Sequence, residues 1–207
     1  MKQAERTARS KHEIFVAAHT EFGQHDYETV TMESICTKHH ISKGMMYHYY
    51  TGKDELFLLC VQKMFEQLHD HLDAHFDSFT QGTVSDMVNT YFLQREHFFQ
   101  TFAQERVIYE NAMIHPPKHL KEEIQRLRQP VQEVNRRFME QVFAHATLRG
   151  TVCKEEAMRF LESVSCMCWP LWELYRDGET DLFSVEREFR HFLNMLLFGI
   201  AEEDGNA

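Results

Sequence analysis

The sequence predicts an all-α protein in which a small N-terminal module of three helices precedes a larger helical domain. Three observations carry that expectation. Apolar residues recur at helical spacing along nearly the whole chain, and no window shows the strict alternation of a half-buried strand. Gly23, Gly52, Gly82, Gly150 and Gly178 fall between or at the ends of the periodic segments, where helix termination and turns favour glycine. The first 115 residues contain no proline, so no ring interrupts the helices there. With 207 residues, 43% of them hydrophobic and 26% charged, and only eight glycines and four prolines, the composition is that of a globular chain with a substantial core.

Taken in order, the first helix spans Ser10 to Phe22, with Ile14, Phe15, Ala18 and Phe22 on one stripe and Gly23 as its stop. Thr31 then caps a helix over Met32 to His39 whose main inward residue is Ile35. His39-His40-Ile41 makes a short turn, Ser42 caps again, and Lys43 to Tyr50 forms the third helix. Two short helices joined by a tight turn form a helix-turn-helix pattern. Further helices are expected over Lys53 to Phe79, Val84 to about Gln104, Arg106 to His115, Lys118 to Arg149, Lys154 to Arg176 and Asp181 to Glu202. Pro116-Pro117 is a break, whereas Pro130 and Pro170 fall inside long periodic segments and predict kinks or breaks. The boundary between modules is expected where the long helix begins, dividing the chain into 1–52 and 53–207.

The net charge of −10 argues, taken alone, against an anionic partner. It is unevenly distributed. Residues 1 to 53 hold seven Lys/Arg against six Asp/Glu, a net of +1, which leaves 15 against 26, or −11, for the remainder. The opening is more basic still, with Lys2, Arg6, Arg9 and Lys11 against Glu5 alone. Such asymmetry suggests that the N-terminal quarter meets an anion that the rest never touches.

The third helix, Lys43-Gly44-Met45-Met46-Tyr47-His48-Tyr49-Tyr50, explains what that anion would be. Helical spacing puts Met46 and Tyr50 on the inner side and Lys43, Tyr47 and His48 outside. An outer face of hydroxyls, an imidazole and an ammonium has little reason to exist without a partner. All of these groups bond phosphate oxygens, and a helix fits the major groove of DNA. Gly44 lets the start of the helix approach a surface closely. Thr51-Gly52-Lys53-Asp54 opens the following helix with backbone N–H groups near Lys53 that suit a further phosphate.

The segments Thr31-Met32-Glu33-Ser34-Ile35, Ile41-Ser42-Lys43-Gly44, Tyr47-His48-Tyr49-Tyr50 and Lys53-Asp54-Glu55-Leu56 resemble the DNA-binding signature of the tetracycline-repressor (TetR) family over about residues 10 to 58. The departures are His39-His40, where the family usually has alanine and glycine in the turn, and Tyr50, where it usually has phenylalanine. His40 therefore has to tolerate a left-handed backbone. The resemblance implies an N-terminal helix-turn-helix DNA-binding domain and a C-terminal helical ligand-binding and dimerisation domain. It implies that Lys43, Met45 and Gly44 face base edges, that Tyr47, His48 and Tyr49 hold phosphates or nearby bases, and that Thr31 and Lys53 clamp the DNA backbone on either side, with Ser42 among the DNA-binding residues. The basic arm Lys2 to Lys11 is expected to track a phosphate strand or the minor groove.

The C-terminal three quarters carry no recognisable signature, so composition and spacing stand alone there. Fourteen of the seventeen phenylalanines and both tryptophans lie beyond residue 64. Phe92, Phe99, Phe102, Tyr109, Met113, Phe138, Met167, Trp169 and Trp172 are the candidates for lining a small-molecule cavity; a solid core of the same residues is the alternative. The acidic surplus admits a cationic ligand, with Glu96, Glu105, Glu110 or Glu173 as counter-charge, beside apolar metabolites or drugs. The last two helices are apolar around much of their circumference, and Phe160, Val164, Leu171, Phe189, Phe192 and Leu196 are the candidates for a homodimer interface.

Other chemistries find less support. His71 and His75 stand four apart, a spacing that suits zinc, but Gln67 to Asp77 lacks the further ligands of a closed site, so exposed histidines and no bound metal are expected. No catalytic triad pattern and no phosphate-cradling glycine loop occurs, and neither enzyme activity nor a cofactor is expected. The five cysteines are scattered and expected to be reduced, Cys166 and Cys168 within the core. The longest apolar run, Met195 to Ala201, is far short of a membrane span, so the chain is expected to be cytoplasmic, with double-stranded operator DNA and a small-molecule effector as partners. The expected function is a TetR-type regulator, a repressor released from a palindromic operator; the alternatives are an activator without effector, and an all-α metal sensor or enzyme using the histidine-rich helix.

Overall fold

The computed structural model describes residues 3–148, 152–157, 159–160 and 182–200. Among the described residues the chain is helical throughout and contains no strand. Nine helices are labelled here: α1 (Gln3–Phe22), α2 (Met32–Lys38), α3 (Lys43–Tyr49), α4 (Lys53–Ala74), α5 (Val84–Thr101), α6 (Ala103–Tyr109), α7 (Lys121–Leu127), α8 (Gln129–His145) and α9 (Leu182–Ile200). Residues 154–157 and 159–160 are also helical; the rest of the helix expected over Lys154 to Arg176 lies outside the described residues. None of these helices is long and apolar enough to cross a membrane.

Four boundaries differ from the sequence expectation. α1 begins at Gln3, so the basic opening is not an extended arm but the first turns of the helix. Gln, Ala, Glu and Arg favour helix intrinsically, and Arg9 Nε pairs with Glu13 Oε1 at 3.0 Å one turn on. α4 stops at Ala74, and a 3₁₀ turn over Phe76–Phe79 follows, burying Phe79 completely. The segment after Val84 breaks at Phe102, whose ψ of 77° leaves the helical region without any proline. The long segment from Lys118 is a 3₁₀ turn, then α7, then α8, with Pro130 in the first turn of α8, where its missing N–H has no intrahelical partner to lose.

The chain forms two compact units: Met1–Gln67 with Phe99–Gln129, and Leu68–Phe98 with Pro130–Ala207. The first takes in the start of α4, α6 and α7. Its α1 packs against α2, α3 and α6. Ile14, Ala18, Phe22, Ile35, Met46, Leu56 and Phe57 are buried together as its core, with the Phe22 and Phe57 rings 5.1 Å apart. A fully buried side chain of this kind contributes about 1.5–3 kcal/mol relative to leaving it exposed.

In the second unit Phe79, Tyr91 and Phe138 form an aromatic cluster, with Tyr91 and Phe138 stacked at 4.4 Å between centroids. The Tyr91 hydroxyl donates to Asn135 Oδ1 at 2.6 Å, so burying the ring leaves no polar orphan. Arg95 donates from Nε and Nη2 to Glu186 Oε1 at 2.8 and 2.7 Å, with both side chains almost fully buried. Burial pushes the Glu186 carboxyl upward, against the lowering effect of the Arg95 charge.

Gly23 is fixed by packing. A Cβ there would stand 2.6 Å from the Cβ of Gln104 and 2.8 Å from the His19 carbonyl oxygen, neither of which is the far end of a flexible chain. Gly23→Ala is therefore expected to destabilise the protein by about 1–3 kcal/mol, through displacement of α6 from α1, in urea unfolding monitored by circular dichroism.

Candidate nucleic-acid interface

The helix-turn-helix is built by its caps. Thr31 Oγ1 accepts from Ser34 N and Ser34 Oγ accepts from Thr31 N, both at 3.0 Å, a reciprocal box that starts α2. Ser42 Oγ accepts from Met45 N at 3.1 Å and starts α3. Between them His40 takes φ of 55°, the left-handed conformation that its place in the turn requires. Tyr50 N–H closes the last turn of α3 onto the Met46 carbonyl at 3.0 Å.

Met46 and Tyr50 are buried, as helical spacing predicts, whereas Lys43, Gly44, Tyr47 and His48 are exposed and Met45 and Tyr49 half-exposed. Tyr47 is 59% exposed, unusual for a large aromatic side chain on a short helix. Nothing stands within 4 Å of where a Cβ on Gly44 would project, so the start of α3 is open to close approach. Lys11 Nζ of α1 lies 6.0 Å from the Tyr49 ring centre, which brings the basic start of α1 beside the end of α3. Thr31, Ser42, Lys43, Gly44, Met45, Tyr47, His48 and Tyr49 are thus all exposed or half-exposed, on α3 or at the starts of α2 and α3.

Lys53 departs from this set. Its Nζ donates to the Tyr27 and Val30 carbonyl oxygens at 3.0 and 3.3 Å and lies 4.1 Å from the Tyr27 ring centre. The ammonium thus ties the start of α4 to the loop before α2. The start of α4 is closed similarly, because Thr51 donates from its N–H and hydroxyl to Glu55 Oε2 at 2.8 and 3.0 Å.

A polar network that sequence reasoning missed fixes this module. Asn111, buried in the wide turn Glu110–Ile114, accepts from Tyr27 N at 3.0 Å and donates to the His25 and Val107 carbonyls at 3.2 and 3.0 Å. The Tyr27 hydroxyl donates to Asp54, which also accepts from His119 Nε2 at 2.8 Å. Burial alone would raise Asp54, but these two bonds outweigh it and hold the carboxyl below its usual range. Glu21, buried in α1, accepts from Lys38 at 2.7 Å and His39 at 3.1 Å; burial is again outweighed, and its carboxyl is held low. Glu105, a sequence candidate for counter-charge to a cationic ligand, is instead buried and pairs with His19 Nε2 at 2.9 Å. No local pattern marks Asn111 or Glu105, since the Tyr27 and His25 partners of the one and the His19 partner of the other are more than 80 residues away.

The aromatic candidates for a ligand cavity divide between the two units. Phe99, Tyr109 and Met113 are buried in the first, and Phe99 and Tyr109 pack ring to ring at 4.9 Å; Phe102 is 45% exposed. Phe92 and Phe138 are buried in the second. There a cleft of about 300 Å³ is lined by Phe92, Glu96, Phe183, Glu186, Arg187 and Arg190. Met167, Trp169, Trp172 and Glu173 lie outside the described residues, as do Cys166, Cys168, Val164 and Leu171. Of the dimer candidates, Phe160 is 44% exposed and Phe192 half-buried, and Phe189 and Leu196 fall within α9 without described side chains. His71 is half-buried rather than exposed: its Nε2 donates to the Gln94 carbonyl at 3.1 Å and its ring lies 4.5 Å from that of His75, tilted by 34°. Among the described residues no group of three or more metal-ligating side chains comes together.

A family model described as bacterial regulatory proteins, tetR family, matches residues 14–60, the span from the first core residue of α1 into α4. Among solved structures, NalD, the secondary repressor of the MexAB-OprM multidrug efflux pump in Pseudomonas aeruginosa, is 20% identical with a TM-score of 0.56, over 96% of this chain and 99% of that one. A TetR transcriptional regulator from Rhodococcus sp. RHA1 is 12% identical with a TM-score of 0.55, over 94% and 97%. The ketosteroid transcriptional regulator KstR2 of Mycobacterium tuberculosis is 17% identical with a TM-score of 0.51, over 94% and 96%. At such identities the likeness is one of fold. No curated protein matches the chain. The capped helix-turn-helix lies within residues 14–60, the span that the tetR family model matches.

Two predictions test the geometry. Met46→Ala is expected to cost about 2–5 kcal/mol of stability, whereas Tyr47→Ala and Gly44→Ala stay within about 0.5–1 kcal/mol of wild type by denaturant unfolding. Because the Glu21 and Asp54 carboxyls are held low, the unfolded chain binds more protons as the medium is acidified. Their contribution is therefore complete at neutral pH and is lost as pH falls below 4.5 and 3.8, the ordinary values of the two groups. Glu21→Gln should lower the melting temperature at pH 7 and flatten its decline on acidification.

Proposed function

We propose that the chain is a homodimeric repressor whose N-terminal module reads a palindromic operator and is released by a small apolar or aromatic effector held by the C-terminal helices. The observation that carries this reading is the outer face of α3. Lys43, Gly44 and Met45 stand at its exposed start and meet base edges, and Tyr47, His48 and Tyr49 reach phosphates. The Thr31 and Ser42 hydroxyls accept from backbone N–H groups as caps, and each keeps its own proton to donate to a phosphate oxygen. With no arginine on α3, base discrimination rests on Lys43, on contact of Met45 with thymine methyls, and on DNA shape.

Dimerisation through the apolar terminal helices, with Phe160 and Phe192 among the contacts, sets two copies of α3 about one DNA turn apart. The cleft beside Phe92 and Phe183 is the site proposed for the effector, its two phenylalanines offering apolar contact and its Glu96, Glu186, Arg187 and Arg190 side chains polar contact. NalD, named as a repressor, has the same fold, which supports the repressor reading over activation. α4 supplies residues to both compact units, so a change of effector state is transmitted along one continuous helix. Effector and operator then weaken each other reciprocally, by roughly 1–3 kcal/mol.

A gel shift on the promoter of the protein's own gene, titrated with salt, tests the reading. The expected result is a bound dimer whose affinity falls by orders of magnitude between about 50 and 200 mM salt. Lys43→Ala and Tyr47→Ala should each weaken binding at least about tenfold without lowering the melting temperature. Absence of a shift at every salt concentration would overturn the proposal.

A further inference from the structure

Lys43 is not alone at the start of α3. Its Nζ donates to Glu33 Oε1 at 2.6 Å, joining the second residue of α2 to the first of α3, with the two side chains 63% and 72% exposed. The fold has little use for this contact, because an exposed pair between flexible side chains contributes at most about 1 kcal/mol. The Lys43 ammonium, by its hydrogen bond, holds the Glu33 carboxyl below its usual range, so Glu33 is ionised at neutral pH. A carboxylate on a surface that approaches phosphates is repelled by all of them unless it has its own partner there.

We infer that the Glu33–Lys43 pair reads one C·G base pair in the major groove, Glu33 accepting from the cytosine amine while Lys43 donates to guanine; this rests on the DNA-reading role proposed for α3. The chemistry selects that pair. A cytosine presents an N4 amine with no acceptor of its own on the groove edge, and its guanine presents O6 and N7 acceptors. Adenine also presents an amine, but its N7 acceptor lies beside it and repels a carboxylate. Across the C·G pair the N4 amine and O6 are themselves hydrogen-bonded, so an acceptor and a donor that are hydrogen-bonded to each other in the free protein match their spacing. Both side chains leave short helices whose starts are fixed by the Thr31–Ser34 box and the Ser42 cap, which presents the two charged groups side by side. Glu33 is thus a specificity-determining residue, working by attraction to one base and repulsion from the others.

The test is selection of wild-type protein, Glu33→Gln and Glu33→Ala on a randomised duplex library, followed by anisotropy titrations on the wild-type consensus and its single-pair variants. Circular dichroism and melting temperature check that both variants fold as wild type does. Wild type should require a C·G pair at one symmetry-related position, with about a tenfold penalty for its replacement. Glu33→Gln should shift the preference there towards A·T, since an amide pairs with adenine N6 and N7. Glu33→Ala should lose the preference at that position only, and bind unrelated DNA more tightly. Variants that keep the wild-type preference at every position, or that gain affinity uniformly for all sequences, would overturn the inference while leaving the proposed function intact. Failure of wild type to select any sequence would overturn both.

Discussion

The exposed face of α3 depends on one constraint: the helix has seven residues and cannot persist by itself, since isolated helices shorter than about 12–15 residues are marginal in water. Burial of Met46 and Tyr50 is what holds it. With those two side chains in the core and Ser42 closing its start, the helical repeat turns Lys43, Gly44, Tyr47 and His48 outward. The exposed face is the geometric complement of the buried one. A substitution that loosens Met46 disperses the surface even though Met46 reaches no solvent.

The rest of the first compact unit fixes where that helix stands. α1 lies against α2, α3 and α6, and the approach of α6 is so close that only glycine fits at position 23. Polar groups then lock what apolar packing leaves adjustable. Asn111 uses both ends of its amide on the loop that follows α1, Lys53 closes that loop onto α4, and Glu21 ties α1 to the end of α2 through Lys38 and His39. Each buried polar side chain of this network meets a partner, the condition under which such groups rigidify rather than destabilise.

Much of this was legible locally. The caps at Thr31 and Ser42, the inward Met46 and Tyr50, and the left-handed His40 follow from residues a few positions apart, and all are present. The break expected after about Gln104 is present at Phe102, although no proline or glycine marks it; the chain leaves the helical region there and α6 then buries Glu105, Ile108 and Tyr109. The bonds of Lys53 were not legible. A lysine at a helix start reads as a surface cation, and only the tertiary fold reveals the Tyr27 and Val30 carbonyls that accept its hydrogen bonds. The partners of Glu105 and Asn111 are likewise set by folding rather than by neighbours in sequence. In the aromatic-rich C-terminal part, spacing distinguishes inner from outer faces but not a filled core from an open cleft, and Phe138 turns out to be stacked within the core.

The uneven charge of the chain completes the picture. Residues 1 to 53 carry a net +1 and the remainder −11, so an anionic partner meets the least repulsion at the N-terminal quarter that carries α3. Hydroxyl-radical footprinting of side chains, read by mass spectrometry with and without a duplex bound from the protein's own promoter, tests this most directly. Met45, Tyr47 and Tyr49 should be oxidised in the free protein and protected in the complex, while Met46 and Tyr50 stay unreactive in both. Bound DNA that leaves Tyr47 as reactive as before would contradict the assignment of α3 as the reading helix.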